Sequence, residues 1–107
     1  MDDARIVVLI TVPSAELGQK IARELVEKRL AACVNILPPM RSIYTWEGRI
    51  MEEDEVLLLC KTRMELFEDR LIPAVRALHP YQVPEILALP VQAGLKEYID
   101  WIGDVCA

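Results

Sequence analysis

The chain has 107 residues, 53% of them hydrophobic, and a formal net charge of −5. This length predicts one domain spanning residues 1–107, and the acidic balance without any Lys/Arg run excludes the electrostatic footprint of a nucleic-acid binder. No apolar run reaches the length of a membrane span, no basic stretch precedes the apolar run of MDDARIVVLITV, and Cys33, Cys60 and Cys106 are too widely spaced for a disulfide framework or a Cys-x-x-Cys site, so a cytoplasmic protein is expected.

Residues 5–12 (RIVVLITV) form an apolar, β-branched run closed by Pro13 and predict a strand buried on both faces. Ser14 is placed to cap a helix whose apolar stripe, Leu17, Ile21, Ala22, Leu25 and Val26, continues to Leu30. Its outer face sets Glu16 before Lys20 and Glu24 before Lys28, the pattern of a solvated helix. Residues 31–37 (AACVNIL) predict a second buried strand, interrupted by Pro38-Pro39 because proline cannot donate to a sheet ladder.

Residues 41–62 predict a hairpin. Ser42, Tyr44 and Trp46 alternate with Ile43 and Thr45, Glu47-Gly48 marks the turn, 52–55 form an acidic patch, and 56–60 (VLLLC) read as a buried strand. Thr62-Arg63-Met64-Glu65 has the form of a capping box opening a second helix striped by Met64, Phe67, Leu71 and Leu78. Pro73 predicts a kink or restart inside that helix, and His79-Pro80 ends it. Residues 85–91 (EILALPV) predict another strand, and Leu95, Tyr98, Ile99 and Ile102 a short terminal helix.

This order predicts an α+β, ferredoxin-like βαββαβ sandwich with an extra C-terminal helix. Two helices on one face of an antiparallel sheet leave the other face, here apolar, in need of a partner. Copies of the chain are therefore expected to pack through their sheets.

Chemistry gathers around the single histidine. His79 stands at a helix C-terminus, where the macrodipole favours its protonated form, in a loop stiffened by Pro80 and Pro84 and shared with Tyr81 and Glu85. It can serve as a metal ligand, a proton-transfer group or a helix-terminal hydrogen bonder. One chain lacks the four N or S ligands of a structural zinc site, but an oligomer can pool ligands between subunits. A pocket of Tyr44, Lys61, His79 and Glu85 could transfer protons. No nucleophile elbow and no phosphate-binding glycine loop is present.

The segments LAACVNI (30–36), SIYTWEG (42–48), KT (61–62), HPYQVPEI (79–86) and YIDW (98–101) together resemble the CutA divalent-cation tolerance family, in order and spacing, over nearly the whole chain. The resemblance implies a ferredoxin-like fold and a tight homotrimer packed through its sheets, with the hairpin crossing the subunit boundary. It also implies an architecture similar to the PII nitrogen-signalling proteins, whose ligands sit between subunits. The implied role is tolerance of divalent metal ions, copper above all, without an established reaction. The family's cleft positions fall on Tyr44, Trp46, Lys61, His79, Tyr81, Glu85 and Trp101. Copper-binding members carry a cysteine where this chain has Ile10, and can carry a histidine where it has Leu78.

The leading expectation is thus a trimeric, non-enzymatic binder or sensor of Cu2+ or another divalent cation. His79 would be the metal contact, assisted by Glu85 or an acid of the 52–55 patch, and Tyr44, Trp46, Lys61, Tyr81 and Trp101 would line a ligand cleft. No organic cofactor, nucleic acid or membrane is expected. The rivals are a PII-like small-molecule signalling module and a small acid–base enzyme using His79, Lys61 and Tyr44.

Overall fold

The structure is a computed structural model that describes residues 4–107; the acids at positions 2 and 3 lie outside the described residues. Strand β1 (Arg5–Val12) is central. It pairs antiparallel with β4 (Arg49–Arg63) on one side and β5 (Ile86–Pro90) on the other. Strand β2 (Cys33–Ile36) pairs with the far edge of β4, giving the order β2-β4-β1-β5, and β3 (Met40–Trp46) pairs with the first half of β4 off this path. All five strands form an antiparallel, open sheet.

Because β1 and β2 both run antiparallel to β4, they are parallel to each other with β4 between them. Likewise β4 and β5 are parallel and flank β1. Helix α1 (Ala15–Glu27) joins the first pair and α2 (Ile72–Arg76) lies in the connection of the second. The two interlocked split βαβ units follow the element order read from the sequence.

Period two divides the sheet. Ile6, Val8, Ile10 and Val12 of β1 and Val56, Leu58 and Cys60 of β4 are buried against Ile21 and Leu25 of α1 and against Leu71 and Val75. Burial drives the Cys60 thiol up to about 12, so it behaves as a small core hydrophobe. The opposite face carries registered rows, Asn35–Leu59–Leu9–Leu87 and Cys33–Lys61–Val7–Leu89, with Leu87 and Leu89 still 55% and 49% exposed. That face is apolar and incompletely covered.

Local chemistry explains the element ends. Ser14 caps α1, its hydroxyl accepting from the Leu17 N–H at 3.1 Å. The β3–β4 loop is Glu47-Gly48, with φ of 52° and 78°, a two-residue turn whose twist matches the strands it joins. The capping box does not form: β4 runs on to Arg63, the buried Thr62 hydroxyl donates to the Leu30 carbonyl at 2.7 Å, and Glu65 pairs with Arg63. A 3₁₀ turn (Met64–Leu66) and a π turn (Phe67–Leu71) follow instead. Pro73 has no N–H and its ring crowds the preceding turn; the turn widens so that the Ile72 N–H reaches the Phe67 carbonyl, and α2 restarts there.

Helix α3 (Lys96–Val105) buries Ile102 with Leu66 and Cys106 in a second small core. Three arginines hold α3 and the residues after it. Arg5 Nε donates to the Ile99 carbonyl at 3.0 Å, Arg29 Nε to Val105 at 3.0 Å, and Arg63 to Ala107 at 3.3 Å.

Candidate ligand cleft

The hairpin arm, the end of β1 and the loop before β5 enclose a cleft of about 660 Å³. Thr11 lies at its base, Tyr44, Trp46, Met51, Glu53 and Glu55 come from the arm, and Tyr81, Gln82, Val83 and Glu85 from the loop. Strand periodicity selects these arm residues. Ser42 pairs with Glu53 and Tyr44 with Met51, so alternate residues of β3 and β4 share the cleft face.

The same alternation splits the acidic patch. Glu52 and Asp54 point to the other face, where Arg41 reaches them at 3.4 and 3.0 Å. Glu53 and Glu55 turn into the cleft and accept from phenols: Tyr44 Oη donates to Glu53 at 2.7 Å and Tyr81 Oη to Glu55 at 3.0 Å. The Tyr81 phenol is held well above its ordinary range by burial and then by Glu55; that of Tyr44 is raised first by its bond to Glu53. Burial and the charge of Glu55 raise the Glu85 carboxyl.

His79 sits behind the cleft, 8% exposed. Its Nε2 lies 2.7 Å from the Thr11 carbonyl and its Nδ1 accepts the Tyr81 N–H at 3.2 Å. A carbonyl only accepts and an amide N–H only donates, so Nε2 carries the proton and Nδ1 is occupied. Bonded at both ring nitrogens, the imidazole fixes the tyrosine loop to β1. The His79 ring also stacks, tilted, on Tyr81 with centroids 4.8 Å apart.

Of the residues read as one site, the fold gathers Tyr44, Trp46, Tyr81 and Glu85 in the cleft, with His79 as their support. Lys61 and Trp101 stand elsewhere. Lys61 pairs in register with Cys33 and Val7, six residues along β4 from Glu55 and so about 20 Å away. Its ammonium contacts Asn35 and Cys33. Trp101 packs on Tyr98 with ring centroids 5.5 Å apart, and the Tyr98 phenol is raised by burial and then by the neighbouring Cys33. One chain therefore holds two clusters, one at each end of the uncovered face. Thr11 and Gln82 line the cleft without having been singled out in the sequence. Gln82 lies within the HPYQVPEI segment but has no expected role there, and only the register brings Thr11 to the cleft. Among the described residues no three His, Cys, Asp or Glu side chains converge as a metal site.

The family profile described as CutA1 divalent ion tolerance protein matches residues 6–105. This chain belongs to the CutA1 divalent ion tolerance family. It is 57% identical over 98 residues to the divalent-cation tolerance protein CutA of Thermus thermophilus, covering 92% of this chain and 94% of that protein. It is 47% identical over 97 residues to the chloroplastic CutA protein of Arabidopsis thaliana, covering 91% of this chain but 53% of the relative. Among solved structures, the Cut A1 protein of Thermus thermophilus superposes with a TM-score of 0.93 at 53% identity, over 96% of this chain and 99% of the other. The periplasmic CutA of Archaeoglobus fulgidus gives 0.90 at 44% identity, over 94% and 97%. The names of these CutA relatives describe tolerance of divalent cations, or only CutA, and none names a catalysed reaction.

Proposed function

We propose that this CutA family member is a homotrimer, packed through its open sheet faces in the ferredoxin-like manner, that binds divalent metal ions, copper foremost, at clefts between subunits. It would act as a binder or sensor in metal tolerance rather than as an enzyme. The observation that carries this reading is the division of the cleft residues into two clusters at opposite ends of one apolar, uncovered face. Packing that face against further copies covers Leu9, Leu59, Leu87 and Leu89, and it offers the Tyr44–Trp46–Tyr81 cluster of one chain a route to the Lys61–Trp101 cluster of the next. The three free thiols suit a reducing compartment, and a cytoplasmic location is proposed on that support.

The donors of a single chain do not form a ready site. Both His79 nitrogens are engaged. Metal contact through Nδ1 means exchanging the Tyr81 N–H bond for a metal bond, with Glu85 or Glu55 supplying oxygen, and weak affinity is expected. Titration calorimetry with copper and with zinc tests this: wild-type chain should bind, and His79→Ala and Glu85→Gln should each weaken binding about tenfold or more. Binding unchanged in both variants removes the metal site from this loop.

A second reading, a small-molecule binding module, is favoured by the volume of the cleft and its three aromatic side chains.

A further inference from the structure

We propose that α3, with Cys106 and Ala107 behind it, is a lid latched by Arg29. It opens from the end of the sheet as a unit while the main core stays folded, and it carries Tyr98 and Trp101 with it. The lid itself does not depend on what the cleft binds. Its effect on function rests on the reading of Lys61 and Trp101 as half of an inter-subunit cleft, a half that loses its aromatic pair when the lid is open.

The latch is built on a strained residue. Arg29 follows α1 with φ of 59°, in the left-handed region that favours glycine. Its N–H donates to the Val26 carbonyl at 3.0 Å and the Leu30 N–H to the Leu25 carbonyl at 2.8 Å, the paired bonds that close a helix around such a residue. Glycine would close α1 in the same way without strain. Arginine adds what glycine cannot: its Nε donates to the Val105 carbonyl at 3.0 Å. Its own carbonyl accepts the Ala107 N–H at 2.8 Å, so the clasp runs in both directions.

Packing makes α3 a separate unit. Ile102 and Cys106 are buried with Leu66 and against Ala32, and among the described residues the main core draws nothing from α3. The helix also crosses the end of the sheet. Thr62 continues the buried row of Leu58 and Cys60, and on that side its hydroxyl meets Cys106 Sγ at 3.6 Å. Cys33, next in the chain to Ala32, turns to the open face in register with Lys61, and there it neighbours Tyr98. The clasp thus stands on the helix-covered side of the sheet, where further copies packed on the open face leave it in place. The aromatic pair stands at the open face, where the site is. Arg29 therefore positions Tyr98 and Trp101 through the helix.

Two buried thiols report the two units, Cys106 in the second core and Cys60 in the main one. The test is labelling of the purified full chain with N-ethylmaleimide over a urea series, each cysteine being read by peptide mass spectrometry. In the wild type Cys106 is expected to react ahead of Cys60 and with a weaker dependence on urea, as opening of a part requires. Arg29→Gly should raise the Cys106 rate about tenfold, the loss of one charge-assisted hydrogen bond. The Cys60 rate should hold or fall, because the strain at the end of α1 is relieved. Arg29→Lys, which keeps a charged donor, should leave Cys106 slower than Arg29→Gly does. Gly103→Ala, which displaces the Arg5 guanidinium from the Ile99 carbonyl, should speed Cys106 and spare Cys60. The proposal is overturned if both thiols react together in the wild type at every urea concentration. It is equally overturned if Arg29→Gly changes both rates by the same factor. These rates judge the lid alone: a chain that sediments as a monomer with Cys106 still reacting first keeps the lid and removes only its link to the cleft.

Discussion

Glu85 enters the cleft beside Glu55, and its carboxyl is raised above its ordinary value of 4.5 by burial and then by that neighbouring charge. The native chain thus holds a proton that the unfolded chain gives up, and stability falls as pH rises from the ordinary glutamate value through the raised one. Glu85→Gln removes this dependence. Its melting temperature should exceed that of the wild type at neutral pH, and the difference should close once pH falls below the ordinary glutamate range. Thermal melts across that interval check it, and a constant difference contradicts it. At this scale the sequence singled out His79, Tyr81 and Glu85 by type and spacing, and the family resemblance added Trp46 to Tyr44 as cleft positions. It did not show that His79 meets the Thr11 carbonyl 68 residues away, a contact that also makes it a support for the loop. Nor could it show which acids of the 52–55 patch face Arg41 and which face the cleft, because that depends on the register of β3 against β4.

At the scale of elements, apolar runs, alternation and prolines located the strand segments and the restart at Pro73, since these are local signals, but the βαββαβ order counted four strands where the structure has five, with β2 and β3 each pairing β4 separately. The Thr62–Glu65 motif misled because tertiary pairing outweighed it: β1 extends β4 through Arg63, and Leu30 claims the Thr62 hydroxyl. Two predictions belong here. Gly48 has φ of 78° and open space around it, so Gly48→Ala meets only backbone strain. It should cost about 1 kcal/mol in urea unfolding, and an unchanged midpoint contradicts the turn geometry. Gly103 sits against the Arg5 guanidinium, and any Cβ there must push it aside from the Ile99 carbonyl. Gly103→Ala should lower stability by about 1 kcal/mol and speed hydrogen exchange in α3 while leaving β1 protected. Unaltered exchange in α3 would show that the arginine does not anchor the helix.

Across the whole molecule, more apolar surface is present than one chain covers. The sheet face opposite the helices bears Val7, Leu9, Leu57 and Leu59 beside the half-exposed Leu87 and Leu89, and the arm carries Ile43 and Ile50 at 67% and 75% exposure. The excess was legible in composition and in strands that do not alternate cleanly with polar residues. The separation of Lys61 and Trp101 from the cleft was not, because it follows from the length of β4, which continues without a break through the acidic patch. The proposed association of identical chains would cover the face and join the two halves of the site. Sedimentation equilibrium of the purified protein measures this directly. A single species with the mass of three chains is expected, persisting on dilution; a monomer at all concentrations would contradict the sheet-to-sheet assembly and the inter-subunit clefts built on it.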